Sequence, residues 1–224
     1  MFDILPPAIV DLLIEATRAT LYMVAIAAFI GTVIGLPIGV FLATSRKGEL
    51  FAAPLANHIL GLIVNAARST PFIILVVAII PFTRLIAGTS IGTNAAIVPL
   101  TVAAAPFIAR LIEAAIREVD QGLVEAARAM GASPLQIVRK VLLPEALPAI
   151  TLALTLAVVS LIGYSAMVGA VGGGGLGDLG IRFGYQRFMP DVMLAVVIVL
   201  IVLVQGVQSI GDFLARRLDK RNRG

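Results

Sequence analysis

Residues 192–204 read Val-Met-Leu-Ala-Val-Val-Ile-Val-Leu-Ile-Val-Leu-Val, and they sit inside a run, 192 to 211, that carries no charged side chain. A helix of about 20 such residues crosses the ~30 Å hydrocarbon core of a bilayer with every backbone hydrogen bond satisfied internally. The same feature recurs outward along the chain, where uncharged runs cover 19 to 45, 50 to 67, 69 to 83, 85 to 109 and 146 to 177. Composition agrees: of 224 residues 59% are hydrophobic and 13% charged, with a mean hydropathy of +1.04. An ordinary soluble domain is roughly 45–50% apolar and 25% charged. The expected fold class is therefore all-α, a polytopic membrane protein of about five transmembrane helices.

The spans are placed at about 21–43, 57–82, 91–109, 149–168 and 192–211, within a single domain over 1–224. The second is the ambiguous one, because Arg68 divides 50–83 and Pro71 and Pro81 lie beyond it. One long helix over 57–82 is more economical than two short crossings. A six-span arrangement satisfies the distribution of basic residues almost as well. Asp3, Asp11 and Glu15 precede Arg18, the reverse of a secretory leader, so the first span is expected to remain in the mature chain. Lys and Arg concentrate in 44–50, in 110–145 and in the tail, leaving Arg18, Arg84, Arg182 and Arg187 on the other side. The positive-inside bias then puts the N-terminus outside and the C-terminus in the cytoplasm. The tail cluster Arg216, Arg217, Lys220, Arg221 and Arg223 reads as an anchor on anionic membrane lipid, not as a nucleic-acid arm.

The one long polar stretch, 113–146, predicts two short helices around a glycine. Asp120 caps the first, Gly131 stops it in the left-handed conformation, Ser133 and Pro134 start the second, and Leu143-Pro144 ends it. Ala126, Ala127 and Met130, beside Glu125 and Arg128, are expected to offer a small apolar surface to another protein. Glu125-Ala126-Ala127, Gly131 and the run Val141-Leu142-Leu143-Pro144 resemble the EAA motif of binding-protein-dependent ABC importer permeases, which favours Ile where this chain has Val141. The segments 68–92, 95–113, 128–148 and 161–180 extend the likeness over nearly the whole chain. Their RSTP, GASP and GYSAM stretches are most similar to the methionine-importer permease family.

The resemblance implies a type I importer permease fold in a bacterial inner membrane, working as a homodimer. It implies two ATP-binding subunits below, a lipid-tethered extracytoplasmic substrate-binding protein above, and a coupling helix in 113–146 that docks on the ATPase. Glu125, Ala126, Ala127, Arg128, Gly131, Val141, Leu143 and Pro144 are the coupling residues so implied. ATP and Mg would belong to the partner; no cofactor, metal or catalytic group is expected in this chain. A Walker A sequence is absent, as is any Gly-Lys pair, and the spans as placed hold no acidic residue for ion coupling. A secondary carrier, a permease for another small solute and a passive scaffold are the competing readings.

Four residues are candidates for the translocation pathway. Tyr164, Ser165 and Met167 offer hydroxyls and a thioether suited to an amino acid with an apolar side chain. Arg68, the one charge deep in a span, lines the path, snorkels to the membrane surface or braces the dimer. Gly31, Gly35, Gly39 and Ala43 share one helix face and allow close packing, within the chain or across the dimer. His58 reads as an interfacial residue. Gly175, Gly177 and Gly180 fall in a GxGxxG register but lack the strand a dinucleotide site needs, and are expected in a flexible re-entrant loop.

Overall fold

The computed structural model describes residues 7–219, and among these every regular element is helical. The helices are α1 (Pro7–Thr44), α2 (Pro54–Ser69), α3 (Phe72–Ala78), α4 (Ile80–Ala87), α5 (Thr93–Arg117), α6 (Gln121–Ala129), α7 (Pro134–Ile137), α8 (Leu143–Ala170), α9 (Gly175–Leu179) and α10 (Pro190–Leu218), with π-helical turns at Val138–Leu142 and Gly180–Tyr185. Four stretches are long and apolar enough to cross a membrane: α1, α5, the continuous helix from Pro134 to Ala170, and α10. A fifth is a bent pair, α2 and α3. The tail residues Lys220, Arg221 and Arg223 lie outside the described residues.

The centre of the fold is the contact of α1 with α5. A Cβ on Gly31 would lie 2.7 Å from the Ala104 Cβ, one on Gly35 2.8 Å from the Ala105 carbonyl oxygen, and one on Gly39 2.6 Å from the Ala109 carbonyl oxygen. The small-residue stripe of α1 therefore meets alanines of its own chain, and the two backbones approach to a distance no larger residue would permit. Met23, Val24 and Ala27 continue this seam into a core with Leu100, Ile108 and Ile112 of α5 and Leu161, Ile162 and Val168 of α8. At the opposite end a second cluster joins Ile9 and Leu13 to Leu176, Leu179, Val192 and Val196. There the Thr20 hydroxyl accepts a hydrogen bond from the Leu176 N–H at 2.9 Å.

The expected single helix over 57–82 is not formed. Thr70 precedes a proline and is extended, with φ −79° and ψ 124°, and α3 leaves α2 at 99°. A second break at Ile79 lets Pro81 enter α4 in its first turn, where its missing N–H costs no hydrogen bond. The expectation that Pro144 ends the second loop helix is also overturned. Leu143 donates its N–H to the Val138 carbonyl five residues back, and this wider turn relieves the clash a proline ring makes in a regular helix. The helix begun at Pro134 thus runs through Pro144 into α8. Likewise α5 continues past Ala109 to Arg117, so Arg110 and Glu113 stand on the same helix as the expected span 91–109.

The glycine run after α8 leads into the short α9 and packs closely against α8. A Cβ on Gly177 would meet the Ala166 carbonyl oxygen at 2.3 Å, so these glycines let α9 fold back onto α8.

Replacing Gly39 by Val should push α1 off α5 and cost about 1–3 kcal/mol. Gly206→Ala, with nothing within 4 Å of the new Cβ, should leave stability level or slightly raised. Thermal unfolding of the purified chain in detergent checks both.

Candidate functional site

Between α5 and α8 the chain makes a compact elbow, and each of its corners has a local cause. The Asp120 carboxylate accepts from the Gly122 N–H at 2.8 Å and starts α6. At the far end Gly131 has φ +79°; Gly131 N–H donates to the Arg128 carbonyl and Ala132 N–H to the Ala127 carbonyl. That is a Schellman stop, and a side chain with a Cβ is strained there. Ser133 then forms a reciprocal capping box with Gln136: Ser133 N–H donates to Gln136 Oε1 at 2.8 Å, and Ser133 Oγ accepts from the Gln136 N–H at 3.4 Å.

The elbow has two faces. Val119, Val124, Ala127, Ile137, Val138 and Leu142 are buried in the main core, while Val141 and Leu143 pack against it half-buried. Ala127 is therefore a wedge into the chain's own interior and not part of the exposed apolar surface expected of it. Glu125, Ala126 and Arg128 face outward. Leu123 and Leu135 join them there, with Met130 80% exposed and Leu135 59% exposed. These two leucines were missed in the sequence. The signal was available in the 123, 126, 130 spacing, which shares one helix face while 124 and 127 share another. Pro144 is exposed on the side of the helix and belongs to the spine behind the elbow.

Behind the elbow a buried carboxylate ties three elements together. Glu113, side chain 5% exposed, takes Arg46 at 3.3 Å, Arg117 at 3.3 Å and a short contact from Arg110. Arg110 Nη2 also donates to the Gly61 carbonyl of α2 at 2.9 Å. This cluster was not anticipated either. Its legible part is the Arg110, Glu113, Arg117 spacing on one helix; the partner Arg46 comes from a distant loop.

The four pathway candidates separate. Arg68 and Tyr164 come together: the guanidinium lies 5.8 Å from the Phe107 ring centroid, and Tyr164 stacks on Phe72 with centroids 4.4 Å apart. With Thr70 and Leu75 these side chains line a cavity of about 130 Å³. Arg68 also ends α2, where a cation suits the negative pole of the helix. Ser165 points elsewhere; it is buried and its hydroxyl donates to the Ile162 carbonyl at 2.7 Å, which leaves it as packing. Met167 is exposed on an outward stripe of α8 with Leu152, Leu156 and Gly163.

Comparison with known proteins fits this geometry. The family model of the binding-protein-dependent transport system inner membrane component matches residues 35–224. The chain is 59% identical to the probable D-methionine transport system permease protein MetI of Vibrio cholerae, covering 94% of each chain. It is 57% identical to the D-methionine transport system permease protein MetI of Escherichia coli, over 70% of this chain and 73% of that one. A solved chain of the MetNI methionine ABC transporter in an inward-facing conformation superposes with a TM-score of 0.95 at 51% identity, covering 96% of this chain and all of that one. A chain of an amino acid ABC transporter superposes at 0.78 with 21% identity, which speaks to the fold alone.

Removing the shared carboxylate in Glu113→Ala leaves Arg110 and Arg117 facing one another without a counter-charge. The expected loss is about 3 kcal/mol, the low end for breaking a buried ion pair. Arg46→Ala should cost less than about 1 kcal/mol, because that side chain is 51% exposed. Melting of the two variants in detergent gives the comparison.

Proposed function

This chain belongs to the family of inner membrane components of binding-protein-dependent transport systems, and from that membership we propose that it imports methionine, driven by ATP hydrolysed on a separate partner chain. It is the permease subunit of an ABC importer, a transport component. The observation that carries the mechanism is the two-faced elbow: an exposed apolar surface of Leu123, Met130 and Leu135 set rigidly on the ends of two spans.

In the mechanism we propose, the exposed face docks in a cleft of the ATPase, with Glu125 and Arg128 at its rim. Because Val124, Ala127, Ile137 and Val138 are embedded in the core, a push on the elbow cannot be absorbed locally and displaces α5 and α8 together. Two copies of the chain, each with its own ATPase, would close and open a central path as nucleotide binds and leaves. This is a shift between two packings, biased by ATP through the ATPase pair. The elbow lies in the cytoplasm and the N-terminus outside, as the basic residues suggest, with a lipid-tethered binding protein delivering solute on that outer side.

For the path itself, Arg68, Phe72, Phe107 and Tyr164 offer the chemistry a zwitterionic amino acid requires. A guanidinium pairs a carboxylate, and aromatic faces accept an ammonium or a thioether. The outward stripe with Met167 and Gly163 lines the same path from the partner copy's side. Gly31, Gly35 and Gly39 serve packing inside one chain.

The test is uptake into proteoliposomes holding this chain with its ATPase and the binding protein. ATP without an ion gradient should drive labelled methionine inward; a gradient alone should not. Leu123→Asp with Met130→Asp should abolish uptake and co-purification of the ATPase while the melting temperature holds, since exposed substitutions stay within about 0.5 kcal/mol. Uptake that survives this pair would overturn the coupling role. Transport of a different solute in place of methionine would overturn the substrate and leave the coupling intact.

A further inference from the structure

A basic recess opens between the end of α1, the start of α2 and the end of α5, on the same end of the bundle as the elbow. Arg46, Lys47, Asn57, His58, Asn65 and Arg110 line it, and it encloses about 550 Å³. We infer that this recess holds the anionic headgroup of a membrane phospholipid.

Charge is the first argument. Among the described residues Glu113 is the carboxylate in ion-pair contact with the arginines here, divided among Arg46, Arg110 and Arg117, and Glu49 lies near enough to attract Arg117 as well. Three guanidiniums against these two carboxylates leave an excess of positive charge. Lys47 adds to it, with no ion pair among the described residues. The first turn of α2 has no capping side chain, so the positive pole of that helix adds further potential where Pro54 lines the recess.

Shape is the second argument, and it decides for a lipid. The recess lies where the apolar length of α1 ends, at Thr44, and the chain turns through Ser45, Arg46 and Lys47. From its mouth, Leu55, Ile59 and Leu62 run up one exposed face of α2, with Ile63 beside them. Leu62 belongs to both the stripe and the recess. A soluble anion has no use for that stripe, whereas a glycerophospholipid presents a phosphate beside an acyl chain, as the recess and the stripe adjoin through Leu62. Basic pockets between transmembrane helices at the membrane surface are the usual seat of such headgroups.

The walls of the recess are braced by the fold itself. Asn57 Nδ2 donates to the Leu42 carbonyl and to Ser45 Oγ, both at 2.9 Å, and Arg110 holds the Gly61 carbonyl, so the walls are fixed before any lipid arrives.

The experiment is native mass spectrometry of the full chain in detergent, titrated with phosphatidylglycerol, phosphatidylcholine or inorganic phosphate. Phosphatidylglycerol should be retained over phosphatidylcholine, and Arg46→Gln with Lys47→Gln should weaken its retention by about fivefold per charge removed. Lys47→Gln alone, which breaks no ion pair, should give about one such factor, so a folding defect in the double variant leaves the inference testable. Arg139→Gln with Lys140→Gln removes equal charge from the elbow side and should change nothing. Equal retention of the two lipids, or retention untouched by Lys47→Gln, would overturn the site. Displacement of phosphatidylglycerol by inorganic phosphate at equal concentration would overturn the lipid assignment in favour of a free anion.

Discussion

Helices in hydrocarbon gain nothing by hiding apolar side chains from lipid, so their association rests on how closely two backbones can pack. In this chain that constraint is met by Gly31, Gly35 and Gly39 of α1 against Ala104, Ala105 and Ala109 of α5. Because the contact is backbone on backbone, the register of α1 on α5 is fixed to within a fraction of a turn. Everything at the elbow end inherits that register. Arg46 follows directly from α1, and Arg110, Glu113 and Arg117 end α5, so the shared carboxylate forms only when the two helices sit at that depth.

A second constraint concerns stiffness. Force applied at an elbow is lost if the joint behind it bends, and proline is the residue that most often makes a helix bend. Pro144 sits at the critical joint, yet the π turn over Val138–Leu142 carries the hydrogen-bond ladder past it, and the helix continues unbroken into α8. Pro71 has no such accommodation. With Thr70 extended, the chain swings through 99° instead, and the result is a kinked element that brings Phe72 onto Tyr164. The two prolines differ in outcome because of the backbone that precedes them: a π turn over Val138–Leu142 before Pro144, and the extended Thr70 before Pro71.

What could be read in the sequence follows the range over which each signal acts. Hydropathy, caps and the Gly131 stop are local, and so the long apolar helices other than the one expected over 57–82, together with Asp120, Ser133 and the elbow itself, are legible from residues 192–204 and 113–146 outward. The EAA-type spacing is also local, and it carried the family. The reading failed where an outcome depended on competition. Pro144 terminates a regular helix but not one that can widen by a residue. Ala127 and Ala126 are identical in type; their spacing puts them on different faces, and the packing of Val124 and Ile137 decides which face turns inward. Ser165 resembles a pathway hydroxyl until its bond to the Ile162 carbonyl is seen. Arg46 pairs with Glu113 across 67 residues of chain, and no spacing rule reaches that far.

Exposed apolar side chains are abundant on this protein, and their position along the helices separates their meanings. Leu194, Val197, Ile201 and Val202 of α10 lie within the length of a span, where lipid tails are sufficient neighbours. Leu123, Met130 and Leu135 lie beyond the last turn of α5, among Gln121, Glu125 and Arg128. Exposure to water at that place is costly unless another protein covers it. The stripe of Leu55, Ile59 and Leu62 is intermediate: it starts beside cations at the membrane surface and runs inward, a geometry that a lone hydrocarbon tail or a protein groove satisfies only in part. The three apolar surfaces thus differ in the groups that border them: no charged residue between 192 and 211 on α10, Glu125 and Arg128 around the elbow face, and Arg46 and Lys47 beside the α2 stripe.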